Sequence, residues 1–94
     1  MSDVSLVKVP SAFIYMMDAG HGWLLVSEKE AESVGFTADS FSKYSYRSKN
    51  GVFALEHDCD APKFIGAWNA IHGQADIIEK HYEEAIVRKW PRIK

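Results

Sequence analysis

Hydrophobic and polar positions alternate along this chain with two different periods. The run Ala12-Phe13-Ile14-Tyr15-Met16-Met17 is apolar on both parities, which predicts a strand covered on both sides or an aromatic-rich edge. Asp18-Ala19-Gly20-His21-Gly22 follows, with two glycines able to take positive φ, and then a second apolar run from Trp23 to Val26. The two runs read as a β-hairpin. Upstream, Leu6, Val7 and Val9 before Pro10 read as a lead-in or edge segment, because proline cannot donate to a central ladder. A second hairpin is written more clearly. Tyr44-Ser45-Tyr46-Arg47 alternates aromatic and polar residues, Ser48-Lys49-Asn50-Gly51 supplies turn chemistry, and Val52 to His57 returns as a strand.

Between the hairpins, Ser27-Glu28-Lys29-Glu30 is a capping-box pattern that opens a helix of about two turns, with Ala31 and Val34 inward and Gly35 as its left-handed stop. Phe41 is expected to anchor the polar stretch Thr37–Lys43. After the second hairpin, Asp60 reads as an N-cap and Pro62 is tolerated in the first turn. Phe64, Ala67, Trp68 and Ile71 then form a helical stripe ended by Gly73. A last helix is expected from about Gln74 to Lys89, with Ile78, Tyr82, Ala85 and Ile86 buried and Pro91 as its stop. The order is ββαββαα. It predicts an α+β fold: a four-stranded antiparallel sheet from two hairpins, with helices mainly on one face.

Composition narrows this to one domain over residues 1–94. The chain is 47% hydrophobic and 13% aromatic, too apolar for a disordered segment, yet it has no apolar run long enough to suggest a membrane span. The first residues do not read as a secretory signal, and the single Cys59 fits a reducing cytosol. The net charge is −2. Residues 1–60 hold nine carboxylates against five cations, and residues 61–94 six cations against four carboxylates. Arg88, Lys89, Arg92 and Lys94 read first as cations at a helix C-terminus and second as a phosphate-contacting tail.

Taken together, His21-Gly22-Trp23-Leu24, Tyr44-Ser45-Tyr46 and Leu55-Glu56-His57-Asp58-Cys59-Asp60-Ala61, with Phe64 downstream, resemble an uncharacterised domain family of bacteria and of phage or plasmid-borne genes. The likeness spans about residues 18–72. It implies a mobile-element setting and the cytoplasm of a bacterial host, and it brings no reaction or cofactor.

The densest chemistry is His57-Asp58-Cys59-Asp60. Asp58 and Asp60 oppose ionisation of the thiol between them, so the segment reads as a helix start with Cys59 packed as a small hydrophobe. Zinc held by His57, Cys59 and His21 or His72 would need unusual ligands, and no metal is expected. Nucleotide-binding, hydrolase-elbow and zinc-protease motifs are missing from the sequence, so neither a cofactor nor a catalytic residue is expected. That leaves the surplus of strand aromatics. His21, Trp23, Tyr44, Tyr46 and Arg47 are the candidate binding residues, since a two-faced sheet with helices on one side exposes rings on the other. The sequence therefore predicts a small non-catalytic protein that binds a protein partner. Its setting suggests inhibition of a host defence complex such as a CRISPR effector. The alternative is a nucleic-acid-binding accessory domain using Tyr44, Tyr46, Arg47 and the basic tail. An uncovered aromatic face or a partly exposed last helix would also permit a homodimer.

Overall fold

The structure is a computed structural model that describes residues 12–94. The expected lead-in through Leu6, Val9 and Pro10 lies outside the described residues. Strands β1 (Ala12–Met17) and β2 (Gly22–Ser27) form the first hairpin, and helix α1 (Glu28–Ser33) follows without a linker. The capping box forms as written: Glu30 N–H donates to Ser27 Oγ at 2.9 Å, and Ser27 N–H donates to Glu30 Oε1 at 2.8 Å. Gly35, at φ +89°, turns the chain out of the helix. A single 3-10 turn over Ala38–Ser40 leads to buried Phe41. The second hairpin is shorter on its first side than its alternation suggests. Strand β3 is only Tyr46–Arg47, paired with β4 (Val52–Glu56). Helix α2 (Asp60–His72) then crosses the sheet.

The last third departs from expectation. Asp76–His81 is not helical but forms strand β5, parallel to β1, and only Ile86–Lys89 makes a turn of 3-10 helix. The sheet therefore has five strands in the order β3-β4-β2-β1-β5 and is mixed, not a four-stranded antiparallel one. The cause is tertiary. β1 is apolar on both parities and carries backbone groups on its outer side that need partners, which β5 supplies. Two adjacent β-branched residues, Ile77 and Ile78, suit a strand as well as a helix. Of the expected buried helical set, only Ala85 is buried; Ile78, Tyr82 and Ile86 are exposed. Ile71 of the α2 stripe is exposed as well, because the helix turns its buried face on Phe64 and Trp68.

Side chains alternate across the sheet into two cores. On one face Phe13, Leu24, Val26, Phe53 and Leu55 meet α1 and α2, with the rings of Phe13 and Phe64 edge-on at 5.3 Å. On the other, Met16, Trp23 and Ala54 meet Ala85 and Val87 of the C-terminal segment, with Tyr46 and Trp90 at the margin. The helices do lie on one face, but the second is not bare. The C-terminal segment covers it and runs on beside β3, where Arg47 N–H donates to Pro91 O at 2.9 Å and Ile93 N–H to Ser45 O at 2.9 Å. No helix among the described residues is long and apolar enough to cross a membrane.

Candidate binding cleft

Where the C-terminal segment lies across the second face it leaves a cleft of about 180 Å³, lined by His21, Trp23, Tyr44, Tyr46, Glu56, Arg88 and Arg92. Its floor is Trp23, only 2% exposed, which makes this ring core and not surface. The His21 ring stacks at 5.8 Å from it, Tyr46 meets it edge-on at 6.1 Å, and the Arg88 guanidinium sits 5.2 Å from its centroid. Arg92 stands 4.7 Å from the Tyr46 centroid and also donates to Lys43 O at 3.2 Å. Tyr44, 51% exposed, forms the outer lip together with Lys43, whose ammonium is 5.6 Å from its centroid. Lys94 joins Lys43, Tyr44 and Arg92 around an adjoining hollow.

One carboxylate ties this assembly to the first hairpin. Asp18 Oδ1 accepts from the backbone N–H groups of Gly20 and His21, each at 3.1 Å, and from Arg88 Nη2 at 2.9 Å. Its Oδ2 accepts from Arg88 Nε at 2.6 Å and Ala85 N–H at 3.1 Å. Arg88 also donates to His21 Nδ1 at 3.1 Å. Arginine has no acceptor, so Nδ1 is the unprotonated nitrogen in this arrangement and Nε2 carries the imidazole proton. Gly20 does not take a positive φ; a Cβ on it would stand 3.2 Å from Arg88 Nη2, a tight contact with the end of that side chain.

The Arg88 hydrogen bond first, and the Ala85 amide next, hold the Asp18 carboxyl well below the usual carboxylate range despite an opposing desolvation penalty. A depressed folded-state value means that this stabilisation is complete above the ordinary carboxylate pKa of about 3.9. It is lost progressively as pH falls from there toward the folded-state value. Asp18→Asn should therefore melt lower than wild type at neutral pH, and the gap should narrow between pH 5 and pH 2.5. Parallel pH dependence of the two melting curves would contradict the role given to Asp18.

Asp60 does not cap α2 with its side chain. It is the first helical residue, 4% exposed, and its carboxylate turns back to the loop before β3. There it accepts from Ser42 N–H at 2.9 Å, from Ser42 Oγ at 2.8 Å and from the buried Ser45 hydroxyl. Ser45 Oγ in turn accepts from Glu56 N–H at 2.9 Å, and Ser42 Oγ from Tyr44 N–H at 3.2 Å. The start of α2 thus positions two residues of the cleft, Tyr44 and Glu56. The N-cap residue, Cys59, makes no side-chain cap hydrogen bond either; Glu56 Oε1 instead holds the turn before the helix, accepting from the N–H groups of Asp58 and Cys59 at 3.0 Å each.

Cys59 is exposed rather than packed as a small hydrophobe. Its thiol is pushed up from its ordinary value by desolvation first and then by the neighbouring carboxylates of Glu56, Asp60 and Asp58. Iodoacetamide should accordingly label Cys59 at neutral pH no faster than a free cysteine. Labelling about tenfold faster would reveal an activated thiolate. His57 Nδ1 pairs with Asp58 at 2.8 Å, and His72 Nε2, at the end of α2, lies 3.2 Å from Ser33 Oγ at the end of α1. Among the described residues no three His, Cys, Asp or Glu side chains converge in a way that could hold a metal ion.

Four of the five residues singled out by sequence, His21, Trp23, Tyr44 and Tyr46, meet in the cleft. Arg47 does not. As the neighbour of Tyr46 on a strand it points to the other face, where it pairs with Glu28 at 3.1 Å and lies 5.8 Å from the Phe53 ring. Sequence reasoning missed Asp18 and Glu56 and took Arg88 and Arg92 only as tail cations; the signal for the latter pair was their position in a basic, aromatic-bearing terminus. No family model, curated protein or solved structure matches this chain.

Proposed function

We propose that the protein is a non-catalytic binding module that receives an acidic segment of a protein partner in the cleft beneath Tyr44. The observation that carries this reading is the convergence of Tyr44, Tyr46, Arg88 and Arg92 from separate parts of the chain over the buried floor ring of Trp23, with Glu56 the only carboxylate among the described residues that line the cleft. Tryptophan, tyrosine and arginine are the residues that concentrate binding energy at protein interfaces. Lys43, Arg92 and Lys94 give the lip a positive charge that favours carboxylate groups. A protein partner is favoured over single-stranded nucleic acid because the rings that would stack bases already have neighbours: His21 and Arg88 on Trp23, and Arg92 on Tyr46. In the phage or mobile-element setting implied by the sequence resemblance, the proposed role is to occupy a host defence complex in the bacterial cytoplasm.

The test compares tagged wild type with the Tyr44→Ala/Arg92→Glu double variant in bacterial lysate, both checked for native folding by circular dichroism. A specific protein should be retained by wild type and reduced about tenfold by the variant, since loss of one hot-spot contact costs more than 1 kcal/mol. Identical captures would remove the cleft from the binding surface. Salt-dependent binding of a single-stranded oligonucleotide that the variant abolishes would favour the nucleic-acid alternative instead.

A further inference from the structure

The two edges of the sheet are treated differently. The β3 edge is covered by the chain's own C-terminal residues, through the Arg47–Pro91 hydrogen bond and the bridge between Tyr46 and Arg92. Among the described residues nothing pairs with the outer edge of β5, a six-residue strand exposed along its whole length. It carries charged residues of both signs, Asp76, Glu79 and Lys80, around two exposed isoleucines. Ile77 is 39% exposed and Ile78 50% exposed, and Ile78 lies beside exposed Ile14 on the adjoining strand. Unpaired backbone groups flanked by exposed β-branched residues form a template for another strand.

We propose that this edge pairs with the β5 edge of a second copy of the chain, antiparallel across a two-fold axis, to make one continuous ten-stranded sheet. The register follows from backbone parity and charge. Tyr82 N–H donates to Met17 O at 2.8 Å, so in this parallel ladder Tyr82, Lys80 and Ile78 turn their backbone groups toward β1. Ile77, Glu79 and His81 then turn theirs outward. Antiparallel pairing brings outward-turned residues opposite one another. A register with Glu79 on the axis would set it against Glu79 of the second copy, and one with Lys80 on the axis would oppose two lysines; like charges directly opposed are destabilising. A register with Ile77 on the axis would set Asp76 against Ile78 and leave the charges without opposite partners, whereas the register with Ile78 on the axis avoids both like-charge pairs and brings opposite charges together. It places Ile78 against Ile78 of the second copy and Asp76 against Lys80 of the second copy, twice by symmetry, and pairs Ile77 with Glu79. Lysine on an exposed strand usually discourages such pairing; here it meets an acid in the partner.

β1 separates this edge from β2 and its cleft residue Trp23, and the interface stands independently of the function proposed for the cleft. Because Ile78 occupies a position where directly opposed side chains approach most closely, cysteine there should cross-link. In a Cys59→Ser background, Ile78→Cys should oxidise to a covalent dimer, while Ile77→Cys, opposite glutamate, should not. Sedimentation of the wild type should show a dimer that Lys80→Asp weakens about tenfold and Asp76→Lys/Lys80→Asp restores. Native circular dichroism is expected for each variant, since these side chains are exposed. A wild type that stays monomeric at high micromolar concentration would overturn the proposal, including the case in which residues 1–11 occupy the edge. Equal cross-linking at positions 77 and 78 would overturn the register.

Discussion

Trp23→Ala is expected to lower the unfolding free energy by about 4 kcal/mol, as for other tryptophans removed from a packed interior. The ring is 2% exposed and fills the centre of the second core, against Met16, Ala54, Ala85 and Val87. Its removal takes away the surface on which the C-terminal segment rests and leaves Arg88 and His21 without the ring they flank. Two effects should therefore appear together. Denaturation followed by far-ultraviolet circular dichroism should show the loss of stability, and hydrogen exchange should show faster exchange at Arg88 and Trp90, whose amides donate within this segment, and at Ile93, whose amide donates to Ser45 O. A loss below about 1 kcal/mol would mean that the second face is not a core and that the cleft has no fixed floor.

Asp60→Ala is expected to cost about 3 kcal/mol, because it leaves the Ser42 amide and the Ser42 and Ser45 hydroxyls without their charged acceptor in a buried place. These groups connect the start of α2 to the loop bearing Tyr44 and, through Ser45, to Glu56 at the end of β4. The variant should thus lose partner binding as well as stability. Asp60→Asn, which keeps one acceptor oxygen, should lie between the two in urea denaturation. An alanine variant as stable as wild type would show that the carboxylate serves only as a helix-start residue.

Much of the architecture was legible because its determinants are local. Ser27 and Glu30 sit three residues apart and close their box as written, and Phe64 and Trp68 sit four apart and face the core together. The failure at Gln74–Lys89 has the opposite origin. Ile78, Tyr82, Ala85 and Ile86 match a helical period, but Asp76–His81 satisfies β1, a strand from the other end of the chain, and no local pattern reports that need. The cleft divides along the same line. His21, Trp23, Tyr44 and Tyr46 could be picked by residue type near turns and strands. Arg47 could have been separated from them by strand alternation, which puts neighbours on opposite faces. The Asp18–Arg88 pair, 70 residues apart, carries no local signal in the sequence.

The most direct measurement of the proposed binding cleft is site-specific photo-crosslinking with benzoylphenylalanine at position 44 and, as an opposite-face control, at position 47. Tyr44 forms the lip of the cleft, whereas Arg47 faces Glu28 and Phe53 on the other side of the sheet. The account predicts a discrete protein adduct from position 44 in bacterial lysate and none from position 47. An adduct from position 47 alone, or the same adducts from both positions, would contradict it.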